Sequence, residues 1–290
     1  MGLGLGLGIW WPTQTSIIPG LLKALCARAT YCENKLCTTA TLEEIAAVRY
    51  TAPPLPVYTD NLVASYSFDT DFSDYTGNND LTAFGSATAG VTGGKVSDCA
   101  ELDGNSDYTI AADSDDFSFT NGTSDLPFSI SFWANFDTVS QGGAGYTVVL
   151  SKRGSNTNLE YQFGFTSNLC FMNIFSQGGT NSIATHANYT PTTGGTTWAH
   201  FTFTYNGNEL FSGNKTYING IEQTLINASS GTYLGMTNTG SPITIGSGYN
   251  PSNLEFDGKL DEFHIWKNRE LTSAEVLDIY NTENAGNSIL

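Results

Sequence analysis

Phe128-Ser-Ile-Ser-Phe-Trp-Ala-Asn-Phe136 alternates large apolar residues with mostly small or polar ones, and Phe201-Thr-Phe-Thr-Tyr205 does the same. A period of two sends successive side chains to opposite faces of an extended strand. Phe128, Ile130 and Phe132 then share a core face, with Ser131, Trp133 and Asn135 on the other. In the second stretch Phe201, Phe203 and Tyr205 share one face, and Trp198, His200, Thr202 and Thr204 the opposite one. Working outward, Leu62–Phe68, Ile243–Ile245 and Leu260–Trp266 read as further strands, and Lys215–Ile218 meets Asn219-Gly220, a strong hairpin signal. Many short strands separated by Gly, Asn and Asp clusters predict an all-β fold, a two-sheet antiparallel sandwich of jelly-roll type. One helix closes it: Thr272-Ser-Ala-Glu275 has capping-box spacing, followed by Val276, Leu277 and Tyr280 at helical spacing.

Composition narrows the function. The 290 residues include 11 basic and 28 acidic ones, a formal charge of −17. Nucleic-acid binding needs a basic face that displaces counterions, so it is excluded as a partner class, and an anionic membrane surface is disfavoured for the same reason. No run of ~18 apolar residues predicts a membrane span. Charged residues make up only 13%, and the polarity comes instead from Asn, Ser, Thr and Gly. That mixture suits strands with hydroxyl-rich outer faces and tight turns.

The charge is uneven. Residues 1–58 carry four basic and three acidic residues, a net of +1, which leaves −18 for the rest. The change falls at Thr51-Ala-Pro-Pro-Leu-Pro56, a stiff, extended stretch. The expected organisation is an assembly or anchor segment over 1–50 with two short helices, a Pro-rich linker over 51–59, the jelly roll over 60–281 and a tail over 282–290. The opening Gly-Leu alternation puts Leu3, Leu5, Leu7 and Ile9 on one side of a strand, followed by Trp10 and Trp11. It lacks the positive start of a secretory signal, since the first basic residue is Lys23. Three readings stand: an arm inserted into another subunit, a strand on the chain's own second domain, and a cryptic export signal. Cys32 and Cys37 form a Cys-x4-Cys pair without a second pair or a nearby histidine, which disfavours zinc and leaves a disulfide or buried free thiols.

The ordered motifs of the second domain resemble the laminin-G-like, concanavalin A-like jelly roll in its pentraxin-related form. They are Leu62–Phe68 with Asp69 and Asp74-Tyr-Thr-Gly-Asn-Asn-Asp80, then Ala100-Glu-Leu-Asp-Gly104 with Asp107-Tyr-Thr-Ile110, and Phe128–Trp133. Thr197-Trp-Ala-His-Phe201, Lys215–Gly220, Ile243-Thr-Ile-Gly246 and Gly258–Trp266 with Leu271–Glu275 complete the set, which spans nearly all of 60–281. Over about a dozen residues the opening arm resembles the starts of some bacteriophage structural proteins. The fold resemblance implies a curved sandwich; it does not fix the activity, because this fold hosts lectins, adhesion modules, capsid decorations and glycosidases.

Three site classes follow. The loop Asp69–Asp80 is rich in oxygen ligands, and the resemblance implies that a carboxylate of the last strand, Asp261, joins it at a structural Ca2+. Asp69, Asp74, Asn78 and Asp261 are the candidate ligands; the alternative is a surface turn loop with Asp261 held by backbone amides. Trp133, Trp198 and His200 stand among hydroxyls and amides on the non-core faces, a pattern that suits sugar rings; the alternative is a structural role. Catalysis is not expected. A Glu-x-Asp-x-x-Glu run of the fold's glycosidases fails at Leu260 in Glu255-Phe-Asp-Gly-Lys-Leu260, and no G-x-S-x-G or H-E-x-x-H occurs. The expectation is a non-enzymatic protein of a virion surface, bacteriophage head or tail. It is homo-oligomeric, anchored to other shell subunits through residues 1–50, and displays a lectin-like domain toward a host-surface glycan or protein. The alternatives are a secreted or bacterial cell-surface lectin and, last, a glycosidase.

Overall fold

In the computed structural model the described residues are 58–139, 145–155, 157–176, 179–248 and 254–290. The chain divides into two units, Met1–Leu55 and Pro56–Leu290. The expected arm, the two N-terminal helices and the Cys32/Cys37 pair lie outside the described residues. Cys99 and Cys170 are free and buried.

The strands are β1 (Leu62–Tyr66), β2 (Thr82–Phe84), β3 (Thr88–Thr92), β4 (Asp98–Asp103), β5 (Tyr108–Ala111), β6 (Phe128–Thr138), β7 (Tyr146–Arg153) and β8 (Leu159–Thr166). They continue as β9 (Leu169–Phe175), β10 (Ser182–Asn188), β11 (Trp198–Tyr205), β12 (Asn214–Ile218), β13 (Ile221–Glu222), β14 (Leu225–Asn227), β15 (Ile243–Ile245) and β16 (Asp257–Lys267). Helix α1 (Ser273–Asn284) follows. One sheet runs β13-β12-β11-β6-β16-β4-β3 with β1 added on β16, and the other runs β14-β10-β9-β8-β7-β15-β5-β2. Every pairing is antiparallel, so the chain folds as the two-sheet jelly roll that the alternation predicts.

The core forms between the sheets. Phe128, Ile130, Phe132, Ala134 and Phe136 of β6 meet Tyr161, Phe163 and Phe165 of β8, all essentially inaccessible. Phe132 stacks on Phe263 of β16 with ring centroids 4.9 Å apart. Each such side chain contributes roughly 1.5–3 kcal/mol by leaving water. The Asn219-Gly220 pair, with φ of 50° and 76°, makes the two-residue turn between β12 and β13.

Helix α1 starts at the expected capping box: the Thr272 side chain accepts from the Glu275 N–H, and the Glu275 carboxylate accepts from the Thr272 N–H at 2.7 Å. Its buried stripe is Val276, Ile279 and Glu283, whereas Leu277 is exposed. The helix lies on the outer face of the first sheet, where Val276 and Ile279 join Tyr58, Tyr217, Trp266 and Leu271 in a second apolar cluster. Two expected boundaries shift as a result. Tyr58 sits inside the stretch read as linker, yet the Trp266 indole donates to its carbonyl at 2.7 Å. The stretch read as a tail from 282 is also part of the fold: Glu283 is buried, and Ile289 and Leu290 pack on the same cluster. No helix among the described residues is long and apolar enough to cross a membrane.

Candidate functional site

The outer face of the second sheet carries a groove of about 570 Å³ lined by β7, β8, β9 and β10. Register sets its floor row by row. His186, Phe171, Gly164 and Val148 are successive cross-strand neighbours, and so are Ala184, Asn173, Gln162 and Ser151 in the next row. Gly164 leaves room in the first row: a Cβ there would meet Phe171 Cζ at 2.6 Å and the Thr147 carbonyl oxygen at 2.1 Å. The Phe171 ring therefore lies down across the glycine, with Tyr146 edge-on at 5.8 Å and His186 at 6.4 Å. Burial lowers the His186 pKa, which favours the neutral ring.

The second row supplies polarity. Gln162 Nε2 and Asn173 Oδ1 are buried and have no hydrogen-bond partner among the described residues. A buried donor or acceptor left unpaired costs about 1–3 kcal/mol, and these two face each other across adjacent strands, roughly 5 Å apart at Cβ. Phe175, Leu159, Thr180 and Arg153 also line the groove. The described lining contains no carboxylate, although the chain has 28 acidic residues. The arrangement offers aromatic surface, one unfilled donor and one unfilled acceptor. Sequence reasoning missed it. The one available signal was Tyr161-Gln-Phe-Gly-Phe165 beside Leu169-Cys-Phe-Met-Asn-Ile-Phe175, two neighbouring strands with bulky residues on both faces, interrupted by amides and a glycine.

The residues expected to hold a glycan lie on the opposite side of the molecule, and two of the three are covered. Trp133 and His200 are buried beneath α1, where Trp133 stacks on Tyr280 at 5.7 Å and donates its indole N–H to Glu283 Oε2 at 2.7 Å. His200 Nε2 is bonded to Ser131 Oγ at 2.8 Å. Trp198 is half-buried and pairs with Asn135. Trp133 and His200 therefore present no surface to a sugar, because the helix occupies that face.

The expected calcium ligands do not converge either. Asp74 accepts from the backbone N–H groups of Ser65, Thr76, Asn78 and Asn79 and from the Thr76 hydroxyl, so its oxygens are already filled. Asp69 accepts from the Asp98 N–H at 3.0 Å, and Asn78 is exposed, its amide on the Thr76 carbonyl. Asp261 is held by backbone amides, those of Lys95 at 2.6 Å, Val96 at 2.9 Å and Glu262 at 2.8 Å. Burial pushes its pKa up to about 8 against the pull of those three donors.

Beside Asp261, strand β16 carries one extra residue opposite β6, between Asp261↔Trp133 and His264↔Ser131. Glu262 takes φ of 44° at this bulge. His264 Nε2 lies 3.3 Å from Glu262 Oε2 and 3.1 Å from Glu283 Oε1, all three residues inaccessible. Burial lowers the His264 pKa, but the hydrogen bonds and charges of the two glutamates outweigh it and raise it to about 9. Burial and the nearby His264 charge push His200 down to about 3.

A curved antiparallel sandwich with an open groove on one sheet and a helix sealing the other is the architecture of a lectin-like binding module. Residues 102–277 match the family model of the concanavalin A-like lectin/glucanases superfamily, and the chain belongs to that family. Among solved structures, the binding domain of Paraclostridial Mosquitocidal Protein 1 aligns at a TM-score of 0.57 and 21% identity, covering 77% of this chain and 52% of that one. The binding domain of botulinum neurotoxin DC, solved with rat synaptotagmin II, aligns at 0.54 and 17% identity over 78% and 52%. Domain 4 of AbnA, a GH43 extracellular arabinanase from Geobacillus stearothermophilus solved with arabinotriose, aligns at 0.50 and 21% identity over 76% and 98%. The chain thus spans about half the length of the toxin binding domains and nearly all of the arabinanase domain. No curated protein matches the chain.

Proposed function

We propose that residues 58–290 are a non-enzymatic glycan-binding module whose site is the groove on β7–β10. The observation that carries it is the pair Gln162 Nε2 and Asn173 Oδ1, buried, unpartnered and adjacent on the floor of an aromatic hollow. A sugar hydroxyl both donates and accepts, so two neighbouring hydroxyls satisfy both groups while the ring's apolar face covers Tyr146, the half-buried ring edge-on to Phe171. Among the described residues the lining lacks the paired carboxylates that glycoside hydrolysis requires, which supports binding without turnover. The arabinotriose complex of the arabinanase domain, at fold level, agrees with a saccharide ligand.

The finer part of the proposal concerns display. Residues 1–50 anchor the module to other subunits of a virion, and the acidic module faces outward. The change of net charge near residue 58 and the division at Leu55/Pro56 support it.

The test is affinity electrophoresis of the full chain against a panel of neutral and acidic polysaccharides. At least one should retard the wild type. Gln162→Ala and Asn173→Ala should each weaken that binding about 10-fold or more, the range of a lost pair of buried hydrogen bonds, without changing the fold. Retardation unchanged in both variants, or absent with every glycan, overturns the reading. Sedimentation of intact particles with and without residues 1–50 decides the anchoring part.

A further inference from the structure

The buried cluster under α1 gathers two carboxyl groups around one imidazole. Glu262 Oε2 and Glu283 Oε1 reach the same His264 nitrogen, at 3.3 and 3.1 Å. Glu262 Oε1 has no hydrogen-bond partner at 1% residue exposure. A buried acceptor left empty is costly, and a bound cation at that point removes the cost.

We infer that Glu262, His264 and Glu283 form a binding site for one divalent transition-metal ion of the zinc class. One ligand atom from each lies within 4.8 Å of the others. Zinc bonds of 2.0–2.2 Å to nitrogen and oxygen place tetrahedral ligand atoms about 3.3–3.6 Å apart, and the two spacings from His264 Nε2 are 3.3 Å, within that range, and 3.1 Å, just below it. With the ion on a neutral imidazole, the two carboxylates are balanced.

The surroundings are those of an oriented ligand set. Ser65 Oγ is 2.8 Å from His264 Nδ1, and by accepting that N–H it leaves the Nε2 lone pair toward the glutamates. Trp133 Nε1 holds Glu283 Oε2 at 2.7 Å, which leaves Glu283 Oε1 turned to the ion, and Ser288 Oγ fixes Glu262 Oε2 at 2.9 Å, so that Glu262 presents Oε2, 3.3 Å from His264 Nε2, with the unpaired Oε1 beside it. Such outer partners fix ring and carboxylate orientation in metal sites. The groups facing the cluster from other elements do not replace an ion. His200 Nε2 is closer to Ser131 Oγ, at 2.8 Å, than to Glu283 Oε2, at 3.5 Å. Lys95 Nζ is on Asn284 and over the Trp133 ring, and Asp261 is filled by amides.

Access exists too. Glu262 also lines a cleft of about 430 Å³ with Ser65, Asp69, Asp74 and Ser288, an acidic mouth that draws cations toward the buried cluster. One imidazole and two carboxylates suit zinc, cobalt or manganese; calcium takes six to eight oxygens and copper(I) prefers sulfur. The bulge has a purpose in this scheme. Without the extra residue, Glu262 would be a core-facing position of β16, like Phe263.

The experiment uses the full chain, stripped with chelator, then titrated with Co2+ and followed by visible absorption, metal analysis after gel filtration, and melting temperature. One equivalent should bind with ligand-field bands and no thiolate charge-transfer band, and melting should rise. His264→Gln and Glu283→Gln should weaken binding at least ~100-fold, and Ser65→Ala, which reaches the ion only through His264 Nδ1, about 10-fold. Near-ultraviolet circular dichroism checks each fold; if the two ligand variants fail to fold, Ser65→Ala and Glu262→Gln decide. No uptake by the wild type at ~1 mM Co2+ or Mn2+, binding unchanged in the variants that fold, or a sulfur band lost in Cys32→Ser would each overturn the site.

Discussion

Asp74 tests whether the loop after β1 is organised by a carboxylate or by an ion. Its two oxygens accept four backbone N–H groups and one hydroxyl, and Ser65 and Asn79, which supply two of the donors, are themselves buried. Asp74→Ala removes every acceptor at once. Two buried N–H groups then lack partners at about 1–3 kcal/mol each, a total near 4 kcal/mol. For a domain of this size that lowers the melting temperature by about 8–16 °C. Asp74→Asn keeps one oxygen and should cost about half as much. The assay is urea denaturation of wild type and both variants, each with and without chelator. The order wild type, Asn, Ala should hold, with the gap unchanged by chelator. A loss under ~1 kcal/mol for Asp74→Ala would refute the hydrogen-bond account. A penalty that disappears when chelator is present would show that the carboxylate serves a metal instead.

Two further outcomes follow from packing. Gly220→Ala forces a side chain onto a residue at φ of 76°, where its Cβ would meet Leu277 Cδ1 at 2.9 Å. A loss of about 1–2 kcal/mol by chemical denaturation is expected, and a neutral result would mean that the turn relaxes. A chain starting at Pro56 should be about 3 kcal/mol more stable than one starting at Asp60, because the latter loses the large buried side chain of Tyr58. Tyr58 also bonds Trp266 Nε1 at 2.7 Å and Asp278 Oδ2 at 2.5 Å. Equal melting temperatures for the two would refute that anchoring role.

The sequence made the sandwich legible because β6 and β11 alternate without interruption and Asn219-Gly220 marks a hairpin. It misassigned the outer face of those same strands for a physical reason. Ser131, Trp133, His200 and Thr202 alternate with core residues just as solvent-facing residues would, and what covers them, Glu283 of α1, lies 150 residues beyond Trp133. Glu262 was equally unreadable, since a bulge changes which face a residue serves without altering the pattern around it. The groove escaped because β8 and β9 are bulky on both faces, so their period gives no outside. Gln162 and Asn173 become conspicuous only when register makes them neighbours. Helix α1 was predicted with the right cap, but its stripe is rotated: Ile279 and Glu283 are buried where Leu277 was expected to be.

Tyr58 and Leu290 pack on one apolar cluster, on the sheet face opposite the groove. Both ends of the folded module therefore leave from its back. A fluorophore, a bead or another protein domain joined at either end would stand away from the binding surface, and a surface coated with copies so tethered would present its grooves outward. The same closeness of the two ends makes the module a candidate for circular permutation: a short linker from 290 to 58 could close the chain, and new ends could open at an exposed turn such as Gly93, where a Cβ meets nothing within 4 Å.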